Sequence, residues 1–320
     1  MPNYNGRTLL EQTLPHAFTA LNNSGSEYEL IIVDDCSKDD SVNFIRQQYP
    51  SVKLLKNDVN KGFSPTVNKG VFAAQYDLVL ILNSDVKLSD NYFKNLLRYF
   101  EREDTFGVMS RIIGWENDTI QDGAKYPHFH GSKIKTSGNY IPVEPKENDW
   151  LYSMYLSGAN AFVSRKKYVE LNGLNEIFAP FYVEDYELSV RAWRLGYKCY
   201  YDHATFCRHR ESVTIKNMSK KNFINKIYYR NKMFLHAMHL PANLYFTWYL
   251  QNILEIIFQT IIGKTYYIKA FFLFVKNNKN WKRSKEAFEQ LAANKGVDIS
   301  LKDVTAAISA SLESILIRKF

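Results

Sequence analysis

The sequence predicts an α/β fold, a doubly wound sheet covered by helices, with a helical extension behind it. Three observations carry that expectation. Short apolar runs at residues 30–33, 52–55 and 78–82 alternate with helical stretches. Two of these runs end in acidic or amide side chains, Asp34-Asp35 and Asn83-Ser84-Asp85, at the strand ends where such sheets meet ligands. A further acidic pair, Glu184-Asp185, opens a predicted helix.

The chain opens on Pro2-Asn3-Tyr4-Asn5-Gly6, a loop-like segment with no strand expected before it. Residues 30–33 are continuously apolar and are expected as a buried parallel strand. A helix follows to about residue 49, closed by Pro50. Residues 52–55 are the next strand. Asn60-Lys61-Gly62-Phe63 reads as a loop. Ser64 then reads as an N-cap with Pro65 at the first helical position, opening a helix to about residue 75. Residues 78–82 form a third strand, buried on both faces. A helix over 90–103 and a strand over 107–113 come next. Residues 114–150 mix Gly, Pro, His, Asn and Lys and read as long loops. Residues 155–163 are strand-like around Gly158. Residues 184–195 are a helix stopped by Gly196, and residues 197–201 a strand. From about residue 222 the pattern is helical and aromatic. The expected division is therefore 1–215 for the α/β domain and 216–320 for the extension.

At 320 residues and 46% hydrophobic content, the chain can bury a large core, and its 22 Tyr and 21 Phe exclude a disordered polymer. Cys36, Cys199 and Cys207 have no metal-binding spacing and no even count, which fits a reducing compartment and excludes a disulfide framework. The first residues have neither the basic start nor the apolar core of a signal peptide, so none is expected. Charge is uneven. Residues 216–320 carry 17 Lys and Arg against 6 Asp and Glu, whereas residues 1–215 carry 24 against 27. The basic character thus belongs to the extension. Its interleaved aromatic and aliphatic residues favour lipid over nucleic acid, for which no motif is present. Residues 242–262 are mostly apolar with Glu255 as the only charge, but Asn243, Gln251, Asn252 and Gln259 interrupt them. An interfacial or core-packed helix is expected there rather than a membrane span.

The chemistry sits at the strand ends. Asp34 and Asp35 either cap the following helix or accept hydrogen bonds from a base or ribose. Asp85 can bind a divalent cation that bridges two phosphates, because such cations take oxygen ligands and need few from protein when phosphate supplies the rest. Acids suit a helix start through the macrodipole. Glu184-Asp185, however, follows the apolar run Phe178-Ala179-Pro180-Phe181-Tyr182-Val183, and an apolar wall raises a carboxyl pKa and makes a better base. His209 lies between Arg208 and Arg210 after the last predicted strand, where it can complete a metal site or the arginines can hold phosphate.

In combination these residues resemble the inverting family 2 glycosyltransferases with a GT-A fold, closest to the rhamnosyltransferase-like branch that builds bacterial surface polysaccharides. Pro2-Asn3-Tyr4-Asn5-Gly6 resembles the family's first nucleotide-binding loop and residues 33–39 its second. Asn60-Lys61-Gly62-Phe63 with Asn68 resembles the segment that follows. Leu82-Asn83-Ser84-Asp85 resembles the Asp-X-Asp element with Asn in its first place. Gly158, Gly173 and residues 184–188 resemble the acceptor-side block. The coverage is about residues 2–215. The resemblance implies inverting transfer of a sugar from a nucleotide-diphosphate donor to a glycan or lipid-linked acceptor hydroxyl. It implies Asp185 as general base supported by Glu184, and Asp85 with His209 on a Mg²⁺ or Mn²⁺ ion. Pro2, Asn3, Tyr4, Asp34, Asp35, Asn60, Gly62, Asn68, Asn83, Ser84 and Asp85 would line the nucleotide-sugar half, and Gly158, Trp193 and Arg210 the acceptor side. The implied place is cytoplasmic, peripheral at the inner face of the cell membrane, with the extension on an anionic surface or against a second copy of the chain. Two features depart from the family. The chain starts at the Pro2-Asn3 loop where the family has a full strand first, and Arg210-Glu211 stands where small residues are frequent. The first departure supports a second expectation, a nucleotide-sugar-binding homologue impaired in catalysis.

Overall fold

The computed structural model of the chain describes residues 1–146, 149–210 and 221–320. In its first part β1 (Pro2–Asn3), α1 (Arg7–Asn22), β2 (Ile31–Asp34), α2 (Ser41–Gln48), β3 (Lys53–Lys56), α3 (Phe63–Phe72) and β4 (Leu78–Leu82) alternate. β5 (Val86–Leu88), β6 (Thr105–Gly114), β7 (Ile120–Asp122), β8 (Ala124–His130), β9 (Lys133–Pro142), β10 (Leu151–Tyr152) and β11 (Asn160–Ser164) follow. Then come α4 (Arg165–Glu170), α5 (Glu184–Arg194) and β12 (Lys198–His209). The last part is α6 (Lys221–His239), α7 (Ala242–Ile261), α8 (Tyr266–Lys276), α9 (Asn278–Asn294), α10 (Leu301–Ser311) and β13 (Ile317–Lys319).

The expected single wound sheet is divided. β1, β2 and β3 form one parallel ladder, while β4 belongs to a separate seven-stranded mixed sheet ordered β10-β12-β6-β11-β4, with β5 and β7 at its side. There β11 runs antiparallel to both β4 and β6, and β12 runs parallel to β6. The opening segment expected as a loop contributes a two-residue strand: Pro2 and Asn3 pair with Val33 and Asp34. That strand is too short to join β2 to β4. An apolar cleft of about 470 Å³ lies between them, walled by residues of α1 and α3.

Other elements correct the sequence reading. α1 was not expected, because Pro15 inside it masks the helical spacing of the buried Leu10, Leu14 and Ala17. α3 is capped by Gly62 rather than Ser64. Gly62 has φ 87°, and a Cβ there would lie 2.8 Å from the Pro180 backbone, so only glycine fits this turn. Residues 90–103 form tight turns and a short 3₁₀ segment, Leu97–Glu101, instead of an α-helix. Packing decides this, since Phe93 and Phe100 both set their rings edge-on against Phe162. The long loops expected over 114–150 contain β7, β8 and β9, of which β8 and β9 pair as an antiparallel hairpin. Their pattern is obscured by Pro127, which sits where the register slips between Tyr126 and His128. The strand expected around Gly158 begins only at Asn160, and β12 continues past residue 201 to His209.

The domain boundary expected near residue 215 lies outside the described residues. Residues 221–320 are knitted into the rest of the chain. β13 pairs with β9, and Arg194 of α5 donates to the Ile299 carbonyl. Arg191 of α5 and His239 of α6 both meet the buried Glu187 carboxylate. Among the described residues no helix is long and apolar enough to cross a membrane. α7 instead leaves one apolar face uncovered, with Phe246 69%, Leu254 68% and Phe258 59% exposed.

Candidate functional site

A cleft of about 520 Å³ opens where the ends of β1, β2 and β4 meet the start of α5. Its first wall is the Pro2-Asn3-Tyr4 loop. The Asn3 side chain donates to Asp34 Oδ1 at 3.0 Å, and Asn5, at φ 51°, accepts the Lys38 amide through its side chain. Asp34 is fully buried and also takes the Ser37 amide, so it braces this loop from beneath and does not face the cleft. Asp35 faces it. Its carboxylate accepts the amides of Lys61 and Gly62, both at 2.9 Å, which fixes the Asn60-Lys61-Gly62 turn against the end of β2.

The floor is Asn83-Ser84-Asp85 at the end of β4. The Asn83 amide donates to the Ala159 carbonyl and the Asp85 carbonyl accepts the Arg210 amide, so this turn is held by its neighbours' backbones. His209, the last residue of β12, brings Nε2 to 3.4 Å from Asp85 Oδ1. The side-chain oxygens Asn3 Oδ1, Asn83 Oδ1, Asp85 Oδ1 and Glu184 Oε2 are buried with no hydrogen-bond partner among the described residues. Four orphaned acceptors at one cleft are costly unless a ligand or ion meets them. A carboxylate and a carbonyl oxygen beside an imidazole are a donor set that fits Mg²⁺ or Mn²⁺. Among the described residues no three His, Cys, Asp or Glu side chains converge, so this set fits a cation that takes its other ligands from a bound phosphate.

The opposite wall carries the acidic pair. Asp185 accepts the Gly158 amide at 2.9 Å on one oxygen and the Tyr186 amide at 2.8 Å on the other. Burial pushes its pKa up, and these two amides, with Lys125 nearby, pull the other way. Glu184 is buried more deeply. Burial, then the neighbouring Asp185 charge, pushes its carboxyl up to about 8. Both carboxyls of the pair are thus raised by burial, Glu184 further by the charge of its neighbour, while two backbone amides favour the charged form of Asp185.

The turn before this pair is strained. Val183, the cap of α5, has φ 76° and Tyr182 has the same, a region that a β-branched residue rarely adopts. It is held from α6. The buried Asn231 side chain donates to the carbonyls of Phe178, Phe181 and Tyr182, and Arg230 donates to that of Ala179. Sequence reasoning missed both residues, since they lie in a helix read as part of a lipid-facing tail and match no motif.

Pro2, Asn3, Tyr4, Asp35, Asn60, Gly62, Asn83, Ser84, Asp85, Gly158, Glu184, Asp185 and His209 are thus brought to one cleft. Four expected site residues lie elsewhere. Asn68 is buried in α3, bonded to the Leu174 backbone and to Tyr168. Trp193 is a core residue whose indole donates to the Ser153 carbonyl. Asp34 lies under the loop, and Arg210 is exposed and outside the cleft lining. Pro180, Phe181 and Tyr182, from the apolar run expected beside the acidic pair, rim the cleft, and Phe223 of α6 joins them without any motif to announce it.

Residues 1–170 match the family model described as Glycosyl transferase family 2. A dolichol-phosphate mannosyltransferase of Pyrococcus furiosus is 27% identical over 116 residues, covering 35% of this chain and 32% of that protein. The succinoglycan biosynthesis protein ExoO of Rhizobium meliloti is 24% identical over 227 residues, covering 70% of this chain and 64% of that protein. The chain thus spans less than two thirds of the length of either curated relative. Among solved structures, that of GalNAc-T7 with UDP, GalNAc and Mn²⁺ superposes at a TM-score of 0.64 and 14% identity, covering 98% of this chain and 56% of that one. At that identity the likeness establishes the fold.

Proposed function

This chain belongs to glycosyl transferase family 2 and has the GT-A fold, and we propose that its cleft carries out inverting transfer of a sugar from a nucleotide-diphosphate donor to an acceptor hydroxyl. One observation carries the proposal: Asp185, held by two backbone amides, and the Asp85–His209 pair face the same cleft, beside unpartnered buried acceptors. Pro2, Asn3, Tyr4, Asp35 and Asn60 form the nucleotide half. Asp85 and His209 would hold a divalent cation, Mg²⁺ or Mn²⁺, which when bound offsets charge on the leaving diphosphate.

Asp185 takes the proton of the acceptor hydroxyl as that oxygen bonds the anomeric carbon and the bond to the donor's diphosphate breaks. The nucleoside diphosphate leaves, and attack opposite the leaving group inverts the centre. A carboxylate raised above its ordinary pKa is a stronger base than a free one, and the two amides keep it aimed and charged. Glu184 at its side is raised by burial and by the Asp185 charge, which disfavours a second negative charge beside the base. The acceptor we favour is a lipid-linked or glycan hydroxyl in bacterial surface polysaccharide synthesis, which the ExoO relationship supports. The uncovered face of α7 supports peripheral attachment to a membrane, which we place at the cytoplasmic side from the sequence resemblance. The rival occupant of that face is a second copy of the chain.

A screen of UDP-, dTDP- and GDP-sugars with Mn²⁺ tests the reading. Metal-dependent transfer or hydrolysis of one class supports it. Binding without turnover points to the impaired homologue. No binding of any class contradicts both.

A further inference from the structure

We infer a phosphate-recognition site on the acceptor side of Asp185, built from Lys232, Lys133, Lys135 and the Tyr186 hydroxyl. The inference concerns the acceptor and rests on the reaction proposed above.

The site lies where α6 crosses the β8–β9 hairpin. His236 fixes that crossing. Its Nε2 accepts the Ile134 amide at 3.1 Å, and its Nδ1 donates to the carbonyl of Lys232 one turn earlier. Lys133 and Lys135 flank Ile134 and share one face of β9. The Lys232 ammonium lies 4.9 Å from the centre of the Tyr186 ring, and Tyr186 directly follows Asp185. That ring also stacks on Tyr155 at 4.9 Å, over which Lys125 sits at 5.1 Å. A lysine thus lies over each ring of an aromatic pair at the catalytic turn.

Charge in this corner is unbalanced. Lys125 meets Asp122 and Lys133 meets Glu255. Among the described residues Lys232 has no carboxylate partner, although it is drawn out of water. Its ammonium pKa falls to about 8 through burial, then through Lys135 and Lys133. The Tyr186 hydroxyl is buried with no hydrogen-bond partner among the described residues. A part-buried cation without a carboxylate partner, near Lys135 and the Glu255-paired Lys133 and beside an idle buried hydroxyl, is an unfavourable arrangement by itself. A phosphate or diphosphate group answers all of it: it neutralises the lysines and accepts from the phenol. Donor phosphates belong at the Asp85 end of the cleft, so a group held here belongs to the acceptor. Its source is either a lipid-linked diphosphate or a free phosphate ester.

Calorimetry with inorganic diphosphate, farnesyl diphosphate and farnesol, each in the presence of chelator, tests this on the whole chain. We expect both diphosphates to bind wild-type protein and farnesol not to bind. Lys232→Met should weaken diphosphate binding roughly ten- to a hundredfold, as for loss of a charged hydrogen-bond partner. Asp85→Ala should leave it unchanged. Tighter binding of farnesyl diphosphate than of inorganic diphosphate assigns the lipid-linked source, and equal binding the free one. Removing a desolvated charge should not lower the melting temperature of Lys232→Met, so lost binding in that variant is not lost folding. Diphosphate binding undiminished in Lys232→Met overturns the inference, because the anion then sits elsewhere. So does absence of diphosphate binding, or farnesol binding as tight as farnesyl diphosphate. Mn²⁺-dependent sugar-nucleotide binding, measured in the same Lys232→Met protein, reports separately on the reaction proposed above.

Discussion

Asn231 Nδ2 lies 2.8 Å from the carbonyl oxygen of Tyr182, three residues before Asp185, and so ties α6 to the strained turn that aims the acidic pair. Its two other donations, to Phe178 and Phe181, leave that turn little freedom. We expect Asn231→Leu, which keeps the volume and removes the donors, to lower kcat by roughly 10²-fold with a small change in donor KM. Misplacement of a reacting group by about 1 Å costs that much. Steady-state kinetics on the folded variant checks this. An unchanged kcat would mean that the turn holds its shape without the clamp.

The acidic pair also sets a pH dependence. The folded-state pKa of Glu184 is raised from 4.5 to about 8, so the folded chain holds a proton that the unfolded chain releases. Stability therefore falls as pH rises from about 4.5 towards 8, the opposite of a salt-bridged carboxylate. Glu184→Gln removes this slope. We expect it to match wild type near pH 5 and to melt higher at pH 8, by a difference on the order of 3 kcal/mol. Melting curves at the two pH values decide. Equal slopes in both proteins would show that Glu184 ionises freely in the fold.

Much of the donor half was legible because its signals are local. Asp35, Asn83 and Asp85 stand at the ends of short apolar runs, and their place in a wound fold follows from that pattern alone. Gly62 was legible as a turn, though not as the cap of α3, because its φ depends on the approach of Pro180. The other half was hidden because long-range contacts make it. Asn231 reaches residues about fifty positions earlier, and nothing in its helical surroundings marks it. Trp193 carries the character of a ligand-facing aromatic but is fully packed, since its indole finds the Ser153 carbonyl in the core. The hairpin of β8 and β9 escaped for a similar reason: its partners β13 and α6 come from the far end of the chain.

For the metal, we expect Asp85→Ala to abolish most Mn²⁺-dependent binding of the nucleoside diphosphate and His209→Ala to weaken it less. Asp85 supplies the only carboxylate in its turn, and His209 stands 3.4 Å behind it. Calorimetry with and without Mn²⁺ reads the effect. Undiminished metal-dependent binding in Asp85→Ala would remove the cation from this turn.

The face of α7 and α8 makes a separate prediction. Phe246, Leu254, Phe258 and Phe272 are exposed there, and Lys264, Lys269 and Lys276 lie exposed beside them. An apolar face with a cationic rim suits an anionic bilayer, at roughly 1 kcal/mol per basic residue. We expect co-sedimentation with anionic vesicles that weakens in salt and is lost in the double variant Leu254→Glu, Phe258→Glu. No vesicle binding together with a stable dimer would make this face a protein interface.

The most direct test of the proposed reaction is the Asp185→Asn variant, assayed for transfer and for donor binding in the same preparation. The amide keeps the shape of the side chain but cannot take the acceptor's proton. Transfer should fall by on the order of 10²–10⁴-fold while Mn²⁺-dependent donor binding persists. Transfer at the wild-type rate in Asp185→Asn would contradict this role and would move the base to another group in the cleft.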